Sequence, residues 1–315
     1  TSESSRAAPC ATVCASIEGV IDMAISASMV KELRELTGAG MMDCKKALEE
    51  AAGDMPKAVD ILRTKGLADL AKRAGRATNE GIITAWANHT GTVGAMVEVN
   101  CETDFVARNA EFTTFASALA EQVAVDAPSS ADELLCLQWK RNPSITVEQA
   151  LGEVVGKLGE NIVITRFVRF DAPEDGMVGY YIHGLGRIGV MVEIGGSDHT
   201  DPAVATLARD VAMHIAASQP ICVMRDNVPP ELVEHETNIY KAQAAASGKP
   251  EPIQAKIAEG RLEKFYKEVC LVEQPFVKDP DRTVQQLVAE TSKATGKQLK
   301  VVRFERLVLG QANAS

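Results

Sequence analysis

The 315-residue sequence is poor in aromatic side chains: Phe, Trp and Tyr together make up 4% of it. This disfavours an all-β sandwich, whose strands draw on aromatic and β-branched residues. No apolar run approaches the ~18 residues that a membrane-spanning helix needs, so no membrane partner is expected. There are seven cysteines, Cys10, Cys14, Cys44, Cys101, Cys136, Cys222 and Cys270, with no C-x-x-C pair and no H-E-x-x-H. A structural zinc site, a bound metal or a disulfide framework is therefore not expected, and isolated thiols fit a reducing compartment. An excess of positive charge is also lacking. The formal charge is −10 and the pI about 5.2, so the chain is not a general nucleic-acid binder. The basic share sits early, with residues 26–76 at net +2 and the remainder at −12.

At ~150 residues per domain the length allows about two domains. Residues 1–22 carry one Arg and no sustained apolar core, which is not a secretory signal, and they read as a disordered extension, the remnant of a leader or a miscalled start. From Met23 the texture changes. Ser28 can cap a helix over 28–37 in which Val30, Leu33 and Leu36 recur, ended by Gly38-Ala39-Gly40. A second helix is predicted from about Met42 to Ala52 and a third from Pro56 to Lys65, closed by Gly66. Residues Leu67 to Thr78 have the composition of a linker helix.

An internal repeat then sets the fold. Gly94 to Asn100 (GAMVEVN) matches Gly189 to Gly195 (GVMVEIG), and Phe115-Ala116, Leu119-Ala120 and Val123-Ala124 match Leu207-Ala208, Val211-Ala212 and Ile215-Ala216. Each copy reads as strand, turn, strand and amphipathic helix. Two such β-β-α modules predict two antiparallel sheets, each covered on one face by helices. Between the copies, Ser130 to Glu133 and Thr146 to Gln149 are capping-box sequences, and Ile162 to Phe170 reads as a strand opening the second module. Two helical runs, 230–247 and 251–269, flank the break Ser247 to Pro250. They predict an antiparallel hairpin with Leu232, Ile239, Ala242 and Ala246 facing Ile253, Ile257, Leu262 and Phe265. The chain returns through Gln274-Pro275-Phe276-Val277, a helix near 283–294 and a last strand from Leu299 to Leu307.

Three motifs bear on chemistry. Gly184-Leu185-Gly186-Arg187-Ile188-Gly189 is a literal G-x-G-x-x-G, but the dinucleotide fingerprint needs a helix after the glycines and here a strand follows. A tight turn is the reading, and no cofactor is expected. Ser197-Asp198-His199 holds triad residue types, but neighbours in sequence do not form a relay, and turn chemistry accounts for them. No catalytic constellation stands out. Thr103-Asp104-Phe105-Val106 lies at a strand-to-helix corner. It can be an N-cap with a core Phe, or a protruding tip with Phe as wedge; pattern alone leaves both open.

Taken together, several ordered segments resemble the elongation factor Ts family, the guanine-nucleotide exchange factors for elongation factor Tu. They are Val30 to Arg34, Thr37 to Leu48, Glu98 to Val106, Gly159 to Ile162, His183-Gly184, Ala212 to Ser218, Ser247 to Pro250 and Gln274 to Val277, and the resemblance spans residues 24–309. It implies an α+β fold with a small amino-terminal three-helix (ubiquitin-associated-like) domain, a duplicated β-β-α core and an inserted antiparallel helical hairpin. The implied domains are an extension at 1–22, a partner-binding bundle at 23–66, a linker at 67–80 and core subdomain 1 at 81–160. Core subdomain 2 would take 161–225 and 270–309, and a coiled-coil hairpin 226–269. The resemblance implies no enzymatic bond-breaking. It implies a partner, elongation factor Tu in its GDP-bound and nucleotide-free forms, contacted by Arg34, Met41, Met42 and Lys45 of the bundle. The Thr103, Asp104, Phe105 and Val106 corner would intrude beside the partner's magnesium site, with Gly159, His183 and Val277 touching it elsewhere. The hairpin implies a homodimer, and the setting implied is cytoplasmic, or an organelle if 1–22 is a leader remnant. Departures are the extension itself, an early end after Leu307, and Lys278 where some relatives carry an apolar residue.

Overall fold

The computed structural model describes residues 25–197, 201–246, 248 and 250–311. The extension at 1–22 and Asp198-His199 of the Ser-Asp-His run lie outside the described residues. No helix among the described residues is long and apolar enough to cross a membrane. The chain divides into two compact units, one ending at Leu62 and one starting at Arg63.

The first unit holds α1 (Ala27–Thr37), α2 (Met41–Glu50) and the start of α3 (Met55–Arg73). Val30, Leu33, Cys44, Ala47, Leu48 and Ala58 form its core. The cap of α1 is Ser26, not Ser28. Ser26 has the extended backbone a cap needs (ψ 150°) and its Oγ accepts from the Met29 N–H at 3.2 Å, while Ser28 lies inside the first turn and shares a hydrogen bond with Ser26. Gly38, left-handed at φ 66°, closes α1 by donating to the Arg34 carbonyl at 2.7 Å. Leu36 does not join the apolar face; it is exposed. Steps of three residues drift by ~60° each on a helix, so a stripe set by Val30 and Leu33 has rotated away by Leu36.

Gly66 does not end the third helix, which runs on to Arg73. Within the second unit a Cβ on Gly66 would lie 2.9 Å from the Gly152 carbonyl oxygen. The glycine serves close helix approach rather than termination, and Leu70 beyond it packs on the core.

The second unit is α+β. Strands β1 (Glu80–Ala87) and β2 (Val93–Cys101) are followed by α4 (Asp104–Ala107), α5 (Ala110–Asp126), α6 (Ala131–Cys136), α7 (Val147–Leu158) and β3 (Ile162–Asp171). Then come β4 (Gly176–His183), β5 (Ile188–Gly195) and α8 (Pro202–Ser218). Next are α9 (Pro230–Ala245), α10 (Glu251–Val269), the short β6 (Pro275–Phe276) and β7 (Asp279–Thr283), α11 (Val284–Thr295) and β8 (Lys300–Val308). One antiparallel sheet has the order β1-β2-β3 and another β4-β5-β8. Thus β3 completes the first sheet instead of opening the second module. Its Arg166 and Arg169 face the partner strand β2 at Glu98 and Ala95, and its apolar residues Ile162 and Ile164 join the first core.

The duplication extends beyond the copied sequence. Each sheet's central strand slips register at its glutamate, between Glu98 and Val99 in β2 and between Glu193 and Ile194 in β5. At each slip the buried carboxylate meets an arginine on the third strand, Arg166 Nε at 2.7 Å and Arg303 Nε at 2.6 Å. Helices α5 and α8 cover one sheet each, and both end on a non-glycine residue at φ 53°, Ala127 and Gln219. The other faces pack together through Ile83, Met96, Phe170, Val178, Met191 and Leu307.

Thr146 and Gln149 make the expected capping box on α7. Ser130 caps α6 through the Glu133 N–H, but the Glu133 carboxylate turns to Ser129 instead of closing the box. Helices α9 and α10 pack antiparallel, Gln243 meeting Arg261 near one end and Val233 sharing an apolar cluster with Val269 at the other. The seam differs in part from the expected one: Phe265 is buried as expected, but so are Ala244 and Ala258, while Ala242, Ala246 and Ile253 are exposed. Both sets have helical spacing, but Val233, Tyr240 and Ala244 mark one face of α9 and Ala242 and Ala246 lie well over ~90° round from it. Arg225 clamps the root of this pair, contacting Glu263 at 2.7 Å and Glu273 at 2.5 Å with its guanidinium over the Tyr266 ring.

Candidate partner-docking surface

The corner after β2 is built from two carboxylates that cross. Glu160, just past α7, receives the Glu102 and Thr103 N–H groups at 3.2 and 3.0 Å and the Thr103 hydroxyl at 2.6 Å. Glu102 in return accepts from the Asn161 N–H at 2.6 Å and from Arg76 at 3.3 Å. The Asn161 N–H, with Arg76 beside it, holds the Glu102 carboxyl below the usual carboxylate range. Behind the corner, Cys101 donates to the Thr103 carbonyl at 3.2 Å. Burial, with Glu160 adding to it, pushes its thiol up to about 12, so the donor proton stays in place at neutral pH.

Thr103 is the N-cap of α4, its Oγ1 accepting from the Val106 N–H. Asp104 therefore does not cap; it pairs with Arg108 at 3.0 Å on the surface. Val106 is buried and anchors the turn. Phe105 is 83% exposed, which removes the core reading for this ring. Turning a Phe outward costs its burial, so the crossed carboxylates and Val106 hold a side chain in water that folding alone would bury.

The remaining expected contacts are spread over both units. In the first unit Arg34 and Lys45 are exposed, Lys45 lying 3.7 Å from Glu49, and Met41 and Met42 are exposed with Leu36. In the second, Gly159 is the left-handed C-cap of α7 at φ 76°, with its N–H on the Val155 carbonyl. Its glycine character is explained by that cap, and it delivers the chain to Glu160. His183 ends β4, exposed, with Nδ1 3.1 Å from the Tyr181 hydroxyl. Val277 is half-exposed between β6 and β7, its N–H donating to His214 Nδ1 at 3.1 Å. The other ring nitrogen of His214 meets Gln274 Oε1 at 2.9 Å, so His214 is the neutral tautomer with its proton on Nε2. Burial lowers its pKa from 6.5. Lys278 pairs with Asp210 at 2.7 Å, pulling its charge back along α8.

Sequence reasoning missed the supports: Glu102, Glu160 and Asn161 at the corner, and His214 with Gln274 behind Val277. All lie inside segments that carried the resemblance, yet none meets its partner locally. Glu160 and Thr103 are 57 residues apart and His214 and Gln274 are 60 apart. The glycine-rich run forms the β4–β5 turn, as expected. A Cβ at Gly189 would lie 2.5 Å from both Ile83 and Met96, so the glycines admit the facing sheet.

These features hold apolar side chains, Phe105 foremost, out to solvent on supports fixed by hydrogen bonds. The model of the family described as Elongation factor TS matches residues 102–311. Proteins named Elongation factor Ts are similar over most of the chain. That of Clostridium botulinum (strain Eklund 17B / Type B) is 47% identical over 287 residues, covering 91% of this chain and 93% of its own. That of Clostridium perfringens (strain SM101 / Type A) is 48% identical with the same coverage, and that of Trichlorobacter lovleyi is 46% identical over 92% of this chain and 94% of its own. The chain belongs to the elongation factor Ts family, the nucleotide exchange factors of translation elongation.

Proposed function

We propose that this chain binds elongation factor Tu carrying GDP, disturbs its magnesium and phosphate site, and promotes GDP release so that GTP can rebind. The observation that carries the reading is the exposed ring of Phe105 on a corner fixed by Glu102 and Glu160. GDP is held by phosphate contacts and by a magnesium ion that neutralises their charge. A factor that binds the loaded and empty partner equally shifts nothing. A rigid Phe wedge fits only a displaced arrangement of the partner, so it favours the state in which magnesium and phosphate are poorly held. By reciprocity, GDP weakens this factor's binding as much as the factor weakens GDP's.

In this reading the bundle at 23–66 is a ubiquitin-associated-like domain whose Arg34, Met41, Met42 and Lys45 dock on the partner's G domain. Residues 67–80 link it to a first core subdomain that starts at 81 and takes in β3, which completes its sheet, and to a second formed by the residues after β3 to 225 with 270–309. Thr103, Asp104, Phe105 and Val106 form the intruding corner; Gly159, His183 and Val277 add contacts. The coiled-coil hairpin at 226–269 serves a homodimer, and the setting is cytoplasmic, without nucleic acid or membrane. Affinity measured by calorimetry tests the core of the reading. Nucleotide-free elongation factor Tu should bind much more tightly than the GDP form with saturating magnesium. Equal affinities would overturn it.

A further inference from the structure

Among the described residues four non-glycine positions have a left-handed backbone: Ala52, Ala127, Gln219 and Leu185. Ala127 and Gln219 are helix C-caps and Ala52 follows the C-cap of α2, Ala51, all places where the left-handed conformation closes a helix. Leu185 closes nothing. It sits in the β4–β5 turn at φ 58° between two left-handed glycines, Gly184 at 62° and Gly186 at 88°. Gly, Asn or Asp adopt this conformation readily, and a leucine does so at a cost. The same leucine is 86% exposed, so no core packing offsets the strain.

The turn beneath it is rigid. The Ile83 N–H donates to the Gly186 carbonyl at 2.7 Å, and the Leu309 N–H donates to the Arg187 carbonyl at 2.9 Å. Arg187 reaches Glu80 at 3.1 Å, and its N–H returns to the His183 carbonyl at 3.1 Å. A Cβ on Gly186 would lie 2.9 Å from Ile82, so the turn is seated against β1. A strained backbone, an apolar side chain in water and a fixed base together describe a presented anchor. It projects two residues from His183, one of the contacts in the proposed interface.

We propose that Leu185 is a second apolar anchor for elongation factor Tu, entering an apolar recess on the partner beside the His183 contact. This rests on the exchange-factor reading above. The strain is what positions the side chain, and docking is what recovers its burial.

The test uses the full chain, a fluorescent GDP analogue on elongation factor Tu, and two variants. Leu185→Asn suits the left-handed backbone and removes the apolar group. Its Tm should equal or exceed the parent's, while its half-saturating concentration for GDP release should rise about tenfold or more, the value of a buried leucine. Leu185→Met keeps an apolar side chain of similar reach and should stay close to the parent. A Leu185→Asn chain with the parent's half-saturation overturns the proposal. So does one whose Tm falls, because the leucine would then be structural. A parent chain that accelerates no release instead overturns the exchange-factor reading itself.

Discussion

Phe105 keeps its ring in water because Glu160 fixes the backbone of Glu102 and Thr103 before it and Val106 is buried after it. Phe105→Ala should therefore leave stability within about 0.5 kcal/mol, as for other exposed positions, while exchange falls by tenfold or more. A thermal melt beside an exchange assay checks both halves. Glu160→Ala should behave differently. It strips three hydrogen bonds from the corner, costing about 1–3 kcal/mol by denaturant titration, and slows exchange with Phe105 still present. The sequence left the Phe105 question open for a physical reason. A Phe at a strand-to-helix corner packs or protrudes according to the backbone angle there. That angle is set by Glu160, 57 residues away from Thr103.

At the scale of elements, the loop between β6 and β7 hangs on His214 of α8 through the Val277 N–H. Only the neutral ring can accept there, and burial depresses its pKa below 6.5. Protons then bind the unfolded chain more readily than the folded one. The stability linked to His214 is complete above pH ~6.5 and is lost as pH falls through its lower folded value. Melts between pH 7 and 5 should show this loss in the parent and a shallower one in His214→Gln. An identical pH profile in both would show that other groups carry it. Gln274 and His214 stand in two motifs quoted for the resemblance, yet their hydrogen bond is long-range and has no local periodic signature. Elements themselves were more legible. The capping box of α7, the β4–β5 turn and the paired helices follow from spacing and turn chemistry, whereas Gly66 misled because a glycine that ends a helix and one that lets another helix approach look alike in sequence.

Over the whole molecule, each of the duplicated sheets carries an ion pair on a buried glutamate at its register slip, Glu98 with Arg166 and Glu193 with Arg303. Glu98 also accepts from the Gly310 N–H at 2.9 Å, and Arg166 is mostly buried. Glu98→Ala takes the carboxylate from the mostly buried Arg166, which keeps its bond to the Val308 carbonyl at 2.9 Å, and should cost about 3 kcal/mol in urea unfolding. Glu193→Ala should cost less, because Arg303 stays half in water. The repeat is legible in the two central strands but does not align the third strands, with Arg166 and Arg303, so β3 reads as opening the second module although it completes the first sheet. Pairing across a sheet depends on tertiary placement that no window of sequence carries.

In the proposed mechanism a fixed, exposed Phe105 drives GDP from elongation factor Tu. Stopped-flow release of a fluorescent GDP analogue, with the parent chain and with Phe105→Ala, tests it most directly. The account predicts fast release with the parent and slow release with the variant, both chains being equally folded by circular dichroism. Equal release rates in the two folded chains would contradict it.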